Sequence, residues 1–124
     1  MWSGFSLSDV FGQEASRKAV AEIDNHPDTK RSFREICTAY GFPVMEYAVI
    51  TDDGYILSLF RLPPKEQGQP VVFLQHGLVD SSDTWVLNGE RSPAFLLAKA
   101  GYDVFLGNSR GNFYSRRHVR LQPK

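Results

Sequence analysis

A run of strand, loop, helix and strand in the second half of the chain restricts the possible folds most strongly. "VVFLQ" (71–75) and "YDVFL" (102–106) are short apolar runs, typical of strands that are buried on both faces. Between them, "SPAFLLAKAG" predicts a helix, with Ser92 as its cap, Pro93 at its first position and Gly101 as its stop. Strands joined by such a helix are parallel, with a right-handed crossover. The sequence therefore predicts an α/β fold.

Two more elements are predicted upstream of this β-α-β unit. In "SFREICTAYGFP", Ser32 and Glu35 form a capping box ahead of apolar residues at helical spacing, so we expect a helix. "MEYAVI" and "YILSLFRL" flank Asp53 and Gly54, which tolerate the positive φ values of a tight turn, so we expect an antiparallel hairpin. The predicted order is thus helix, hairpin and parallel β-α-β unit.

The domain organisation follows from length and composition. The chain has 124 residues, enough for one small domain, and 42% of them are hydrophobic, enough to bury a core. We assign residues 32–124 to this domain. Residues 1–31 are predicted to be an N-terminal extension with a short helix over Glu14 to Ile23, where Ala15, Ala19 and Ile23 share one face.

Charge is balanced overall but not along the chain. Fourteen basic and fourteen acidic residues cancel, yet residues 110–124 hold five basic residues and no acidic one. This tail could contact phosphates or an acidic partner, or it could be a solvated end. We expect a solvated end and no nucleic-acid partner.

Cysteine content and the first residues bear on redox chemistry and compartment. Cys37 is the single cysteine, which excludes an intrachain disulfide, and its apolar helical neighbours indicate a core position. "MWSGFSLSDVFGQEASRK" has neither a basic n-region nor a long apolar run, so we expect no signal peptide and no transmembrane segment. The compartment stays open.

The sequence shows no pattern for a metal or a cofactor. It has no His-x-x-x-His, no cysteine pair and no dense carboxylate cluster, so no metal site is expected. It also lacks the G-x-x-x-x-G-K-[ST] pattern of a phosphate-binding loop. We therefore expect no cofactor.

"GNSRG" (107–111) matches the G-x-S-x-G nucleophile elbow and makes Ser109 a candidate nucleophile. An elbow needs a following helix, but "NFYSRRHVRLQPK" has no helical apolar stripe. The triad order requires an acid and then a histidine downstream, and His118 follows Ser109 without any acid. The nearest acid, Asp103, lies upstream and would be about 20 Å away along an extended chain. These patterns indicate that Ser109 is a decoy and a turn residue.

Three stretches carry a resemblance to a known family. "GFPVMEYAVITDDGYILSLFRLP", "PVVFLQHGLVDSSDTWVLN" and "LAKAGYDVFLGNSRGNFYSRRH" resemble the N-terminal third of the acid lipases, which include gastric and lysosomal lipases and steryl ester hydrolases. The resemblance implies a partial α/β-hydrolase fold. It also implies hydrolysis of triacylglycerols and cholesteryl esters by a Ser-Asp-His triad. In that family the nucleophile belongs to a second G-x-S-x-G after the fifth strand, and no such motif occurs among these residues.

The resemblance also implies roles for the loop after "VVFLQ". The backbone amide of Leu78 would donate to the oxyanion, supported by His76 and Gly77, which set the turn before it. The implied sheet order 1-2-4-3 leaves residues 71–75 at an open edge. Trp85 either packs under the loop or lines an acyl pocket, and we favour packing.

Two classes of function remain open at this point. In the first, the chain is part of a lipid ester hydrolase and is inactive alone because it lacks the triad. In the second, it is a non-catalytic lipase-like module that docks its open edge onto a partner chain.

Arg110 is expected to pair with Asp80 or Asp83 in the facing loop. Acid lipases are often secreted or lysosomal, which does not assign a compartment here.

Overall fold

A computed structural model describes residues 27–122 of the chain. The predicted helix over Glu14 to Ile23 lies outside the described residues. The chain divides into two compact units, Met1–Arg31 and Ser32–Lys124. In the first unit the described residues form a 3-10 turn, Pro27–Lys30. The guanidinium of the next residue, Arg31, lies 3.0 Å from Asp28 Oδ1.

The second unit is built on one mixed sheet. Its strands are β1 (Met45–Ile50), β2 (Tyr55–Leu62), β3 (Val71–Gln75), β4 (Asp103–Gly107) and β5 (Arg117–His118). Their order is β1-β2-β4-β3, and β5 pairs with the start of β2. Strands β3 and β4 are parallel, and the other pairs are antiparallel. The hairpin, the parallel β-α-β unit and the sheet order implied by the resemblance are confirmed, whereas β5 was not predicted.

Among residues 27–122, two α-helices accompany the sheet: α1 (Phe33–Ala39) and α2 (Pro93–Lys99). The capping box of α1 is confirmed, because Glu35 Oε2 accepts from the Ser32 amide at 2.7 Å and Ser32 Oγ accepts from the Glu35 amide. Ser92 is the N-cap residue of α2 and Pro93 follows it, as predicted, but the Ser92 side chain makes no capping hydrogen bond. The Ser92 hydroxyl donates instead to the Gly89 carbonyl at 2.7 Å, so the preceding 3-10 turn, Gly89–Arg91, occupies it.

Both helices contribute to the core on one face of the sheet. Phe33 of α1 stacks on Phe60 of β2 with ring centroids 4.4 Å apart. Cys37 is fully buried, as predicted, and burial raises the pKa of its thiol to about 12. The buried apolar residues are Phe33, Ile36, Cys37, Phe60, Leu62, Val86, Ala94, Phe95, Val104 and Leu106.

The opposite face of the sheet is more open. The prediction that β3 is buried on both faces is wrong, because Val71 is 63% exposed and Phe73 is 57% exposed. Among the described strands β3 pairs only with β4, so it lies at the edge, where its outer face has few neighbours. On the same face, Arg61 donates two hydrogen bonds of 2.8 Å to Asp103, which engages both carboxylate oxygens. These contacts raise the pKa of Arg61.

Candidate functional site

A cleft of about 840 Å³ opens at the carboxyl ends of β3 and β4. Because these strands are parallel and adjacent, the chain leaves both at the same edge of the sheet. We call residues 76–81 the β3 loop and residues 108–116 the β4 turn. The cleft is lined by residues of these two segments: His76, Gly77, Leu78, Val79, Asp80, Ser81, Ser109, Arg110, Gly111, Asn112 and Phe113.

In the described part of the chain, the Leu78 N–H is one of the unpaired backbone donors of the β3 loop, together with those of Gly77, Val79 and Asp80. Within residues 27–122, no group accepts a hydrogen bond from the Leu78 N–H, and the side chain is 96% exposed. The next residue, Val79, has φ of 59°, a left-handed conformation that β-branched residues rarely adopt. Backbone strain of this kind costs about 1–3 kcal/mol and clusters at functional sites. The loop therefore presents an unpaired donor on a strained backbone.

His76 is fixed by hydrogen bonds at both ring nitrogens. Nδ1 lies 2.7 Å from the Gly77 carbonyl, which can only accept, so Nδ1 carries the proton. Nε2 lies 3.0 Å from the Ser109 amide, which can only donate, so Nε2 is the acceptor. In this arrangement Nε2 accepts from a backbone amide rather than from the Ser109 hydroxyl.

The surroundings of Ser109 lack the partners of an activated serine. Its Oγ accepts a hydrogen bond of 3.0 Å from Gln75 Nε2. The segment that follows is a turn leading to β5 rather than a helix. Asp103, the nearest upstream acid, is held by Arg61. Among the described residues, the geometry brings neither an imidazole nor a carboxylate to the Ser109 hydroxyl.

Asn108, next to Ser109, forms a buried side-chain hydrogen-bond network that the sequence patterns did not predict. Its side chain is almost fully buried, and Oδ1 accepts from the Ser82 amide at 3.0 Å and from Asn112 Nδ2 at 2.8 Å. Nδ2 donates to Ser82 Oγ at 3.1 Å and to the Ser58 carbonyl at 3.3 Å. Asn108 therefore connects β2, the β4 turn and the 3-10 turn Ser82–Trp85.

Tyr114 adds a second tie between the β4 turn and the rest of the unit. Its hydroxyl donates to Asp83 Oδ1 and accepts from the Phe33 amide, both at 2.8 Å. Burial raises the pKa of Asp83, and burial together with Asp83 raises the pKa of Tyr114. Tyr114 thus fastens the 3-10 turn Ser82–Trp85 and the start of α1.

The predicted pairing of Arg110 with Asp80 or Asp83 is wrong. Arg110 donates to Asp53 Oδ2 at 2.6 Å and lies over the Tyr55 ring at 4.5 Å from its centroid. Because β2 runs antiparallel to β4, the β1–β2 turn reaches the same edge of the sheet as the β4 turn. The Thr51 hydroxyl and Arg110 lower the pKa of Asp53.

The basic tail is partly structured. The strand β5 pairs with Tyr55 and Ile56, and His118 Nε2 donates to the Asp53 carbonyl at 2.8 Å. Its arginines are exposed to solvent. The tail is therefore anchored through its backbone and His118, a long-range contact that charge patterning could not show.

Trp85, the candidate for packing or for an acyl pocket, lies against the core. It is partly buried and packs on the buried apolar cluster, in line with the packing role. Its Nε1 is buried, and no described residue accepts its hydrogen bond.

Residues 27–122 offer neither a metal centre nor a membrane-spanning helix. In this part of the chain, no group of three or more His, Cys, Asp or Glu side chains is placed to hold a metal ion. Likewise, none of the helices described is both long and apolar enough to cross a membrane.

The sequence of the chain is similar to that of known lipases. Residues 33–89 match the family described as "Partial alpha/beta-hydrolase lipase region". The human lysosomal acid lipase/cholesteryl ester hydrolase is 49% identical over 115 residues, which cover 87% of this chain and 28% of that protein. Lipase lipl-1 of Caenorhabditis elegans is 48% identical over 130 residues, covering 98% of this chain and 31% of that protein. Human lipase member K is 45% identical over 106 residues, covering 80% of this chain and 27% of that protein.

The chain is homologous to the acid lipases. The resemblance seen in the three sequence stretches is thereby confirmed, and the fold is a partial α/β-hydrolase fold. The chain spans between 27% and 31% of the length of these acid-lipase relatives. An epoxide hydrolase mutant from Aspergillus niger, a solved structure, matches with TM-score 0.46 and 12% identity, covering 85% of this chain and 27% of that one. At that score it adds nothing to the sequence matches.

Proposed function

We propose that this chain supplies the N-terminal part of a lipid ester hydrolase, with the Leu78 amide as one donor of the oxyanion hole. The observation that carries the proposal is the unpaired Leu78 N–H on the β3 loop, at the cleft. Ester hydrolysis passes through a tetrahedral intermediate with a negatively charged oxygen. A fixed backbone donor stabilises that charge without having to reorganise, and one such donor contributes roughly 2.7–4 kcal/mol.

The cleft also suits an apolar acyl group. The side chains of Leu78, Val79 and Phe113 line it and are 96%, 98% and 78% exposed. Exposed apolar side chains around a polar donor are typical of a site that binds an apolar ligand and orients it by a few hydrogen bonds. Triacylglycerols and cholesteryl esters, the substrate class implied by the homology, combine long apolar chains with one reacting carbonyl.

Ser109 has no part in this proposal as a nucleophile. Its hydroxyl accepts from Gln75, and the basic nitrogen of His76 is directed at the Ser109 amide. A serine without a base in hydrogen-bond contact is a weak nucleophile. We infer that the nucleophile and its triad partners come from other residues, and that these 124 residues alone do not turn over esters.

A transplanted segment tests the proposal. Residues 33–122 would replace the matching segment of human lysosomal acid lipase/cholesteryl ester hydrolase, and turnover of a p-nitrophenyl ester and a cholesteryl ester would be measured. We expect kcat/KM within about tenfold of the parent, a change of about 1.4 kcal/mol. The parent lipase, expressed and assayed in parallel, is the control. A folded chimera without ester turnover would contradict the proposal.

A second candidate function rests on the open edge of the sheet. Val71 and Phe73 are exposed on β3, which pairs only with β4 among the described strands. An apolar edge strand offers backbone donors and acceptors to another strand. The chain would then be a non-catalytic module that docks β3 onto a partner chain, a complementing lipase segment being one case.

The edge function has its own test. The full chain would be mixed with the remaining segment of the human lysosomal relative and followed by analytical ultracentrifugation. We expect a one-to-one complex, and we expect Phe73→Lys to weaken it at least tenfold, because a charge there would be buried on pairing. The exposed Lys65→Glu serves as the control for altered charge. No complex, or a complex indifferent to Phe73→Lys, would contradict the edge function.

A further inference from the structure

The peptide group that carries the Leu78 amide is held from its carbonyl side. His76 Nδ1–H donates to the Gly77 oxygen at 2.7 Å. The Gly77 carbonyl and the Leu78 N–H belong to one planar trans peptide group, so they point in opposite directions. Fixing the carbonyl therefore also fixes the direction of the N–H. His76 can orient the Leu78 donor in this way only while Nδ1 carries the proton.

The other ring nitrogen selects that tautomer. Nε2 accepts from the Ser109 amide at 3.0 Å and lies 3.2 Å from Asn112 Nδ2. A proton on Nε2 would face both donors, so these two contacts favour the form with the proton on Nδ1. The tautomer of His76 is thus set by the β4 turn, more than 30 residues further along the chain.

The orientation of the Asn112 amide follows from its other contacts. Its Oδ1 accepts from the amides of Tyr114 and Ser115, both at 3.0 Å. Its Nδ2 donates to Asn108 Oδ1 at 2.8 Å. The oxygen must face the two backbone donors, so the nitrogen faces Asn108 and His76. A relay of hydrogen bonds therefore runs from Asn112 through the His76 ring to the Gly77–Leu78 peptide group.

We propose that Asn112 is a positioning residue, which orients the Leu78 amide by holding His76 in the tautomer protonated at Nδ1. The value of that orientation for catalysis rests on the proposed function of Leu78. The relay itself is a property of the chain and can be measured without any turnover. It also gives the "GNSRGN" segment a role other than that of a nucleophile elbow. Asn108 anchors the β4 turn, and the Ser109 amide and Asn112 fix the tautomer of His76. The His76 ring in turn fixes the orientation of the Gly77–Leu78 peptide group.

Imidazole ¹⁵N NMR of the full chain at neutral pH tests the relay. In the wild type we expect His76 to carry its proton on Nδ1, with Nε2 unprotonated. In Asn112→Asp one carboxylate oxygen still accepts from Tyr114 and Ser115, while the other faces His76 Nε2 as an acceptor and can no longer donate to Asn108 Oδ1. The carboxylate favours a proton on Nε2 in place of the hydrogen bond from the Ser109 amide, so we expect His76 Nε2 to become protonated and the Leu78 amide resonance to shift.

Asn88→Asp is the matched control, because Asn88 is exposed and makes no side-chain cap hydrogen bond. It introduces the same charge and should leave both signatures unchanged. A wild-type ring protonated at Nε2 would overturn the proposal, as would unchanged His76 and Leu78 signals in Asn112→Asp. If Asn112→Asp does not fold, the wild-type tautomer decides. Failure of the transplanted segment to hydrolyse esters would remove the proposed function but leave this result intact.

Discussion

Leu78→Pro in the transplanted segment is expected to lower kcat by about 10²–10³-fold, the loss seen when one oxyanion donor is removed. Proline has no N–H, so the substitution deletes the donor that we assign to the intermediate. Because the donor acts mainly on the charge that develops during reaction, kcat should fall with little change in KM. Steady-state kinetics on a soluble p-nitrophenyl ester measures both.

Leu78→Ala is the control for this substitution, since it shortens the exposed side chain and keeps the amide. We expect its kcat to stay within about tenfold of the unsubstituted chimera, a change of about 1.4 kcal/mol. Proline also restricts Gly77, so urea unfolding of Leu78→Pro must match that of Leu78→Ala. A Leu78→Pro chimera as active as Leu78→Ala would show that the Leu78 amide does not stabilise the reaction.

Asn108→Leu is expected to lower the free energy of unfolding of the full chain by about 3 kcal/mol or more. The substitution keeps the side-chain volume but leaves the Ser82 amide and the Ser58 carbonyl without their partner in a buried place. Each unsatisfied buried group costs about 1–3 kcal/mol. Domains of this size are stable by only about 5–15 kcal/mol, so urea unfolding should show the loss clearly.

Ser109→Ala, one residue further, is the matched control for Asn108→Leu. Ser109 is exposed, and among the described residues its hydroxyl accepts only from the exposed side chain of Gln75. We therefore expect the free energy of unfolding to change by no more than about 0.5 kcal/mol. A loss below about 1 kcal/mol for Asn108→Leu would mean that the buried network does not hold the β4 turn to β2 and the 3-10 turn Ser82–Trp85.

Short-range sequence patterns predicted α1, α2 and the strands β1 to β4. Several contacts that these patterns did not predict join residues far apart in the sequence. The Ser32–Glu35 capping box spans three residues, so the sequence alone shows it. The Arg110–Asp53 pair spans 57 residues and depends on the register of β2 against β4, which no local pattern contains. The Ser92 hydroxyl accepts from the Asn88 amide and donates to the Gly89 carbonyl, contacts that depend on the 3-10 turn before α2 and that the capping pattern does not contain.

The candidate site divides in the same way. Leu78 could be proposed from the sequence because the resemblance covers its motif, and its unpaired amide lies at the cleft. The roles of Asn108 and Asn112 could not be found, because they require the β4 turn to lie across from the β3 loop. The sequence signal for these roles is a pair of asparagines four residues apart, one inside the G-x-S-x-G pattern and one directly after it.

Reaction of the purified full chain with a fluorophosphonate probe tests most directly whether Ser109 is a turn residue rather than a nucleophile. Intact mass and peptide mapping would be read for wild type and Ser109→Ala, with p-nitrophenyl butyrate turnover measured on the same samples. We expect no adduct on Ser109 and no turnover above buffer in either protein. A stoichiometric adduct on Ser109, with turnover that Ser109→Ala abolishes, would contradict the assignment.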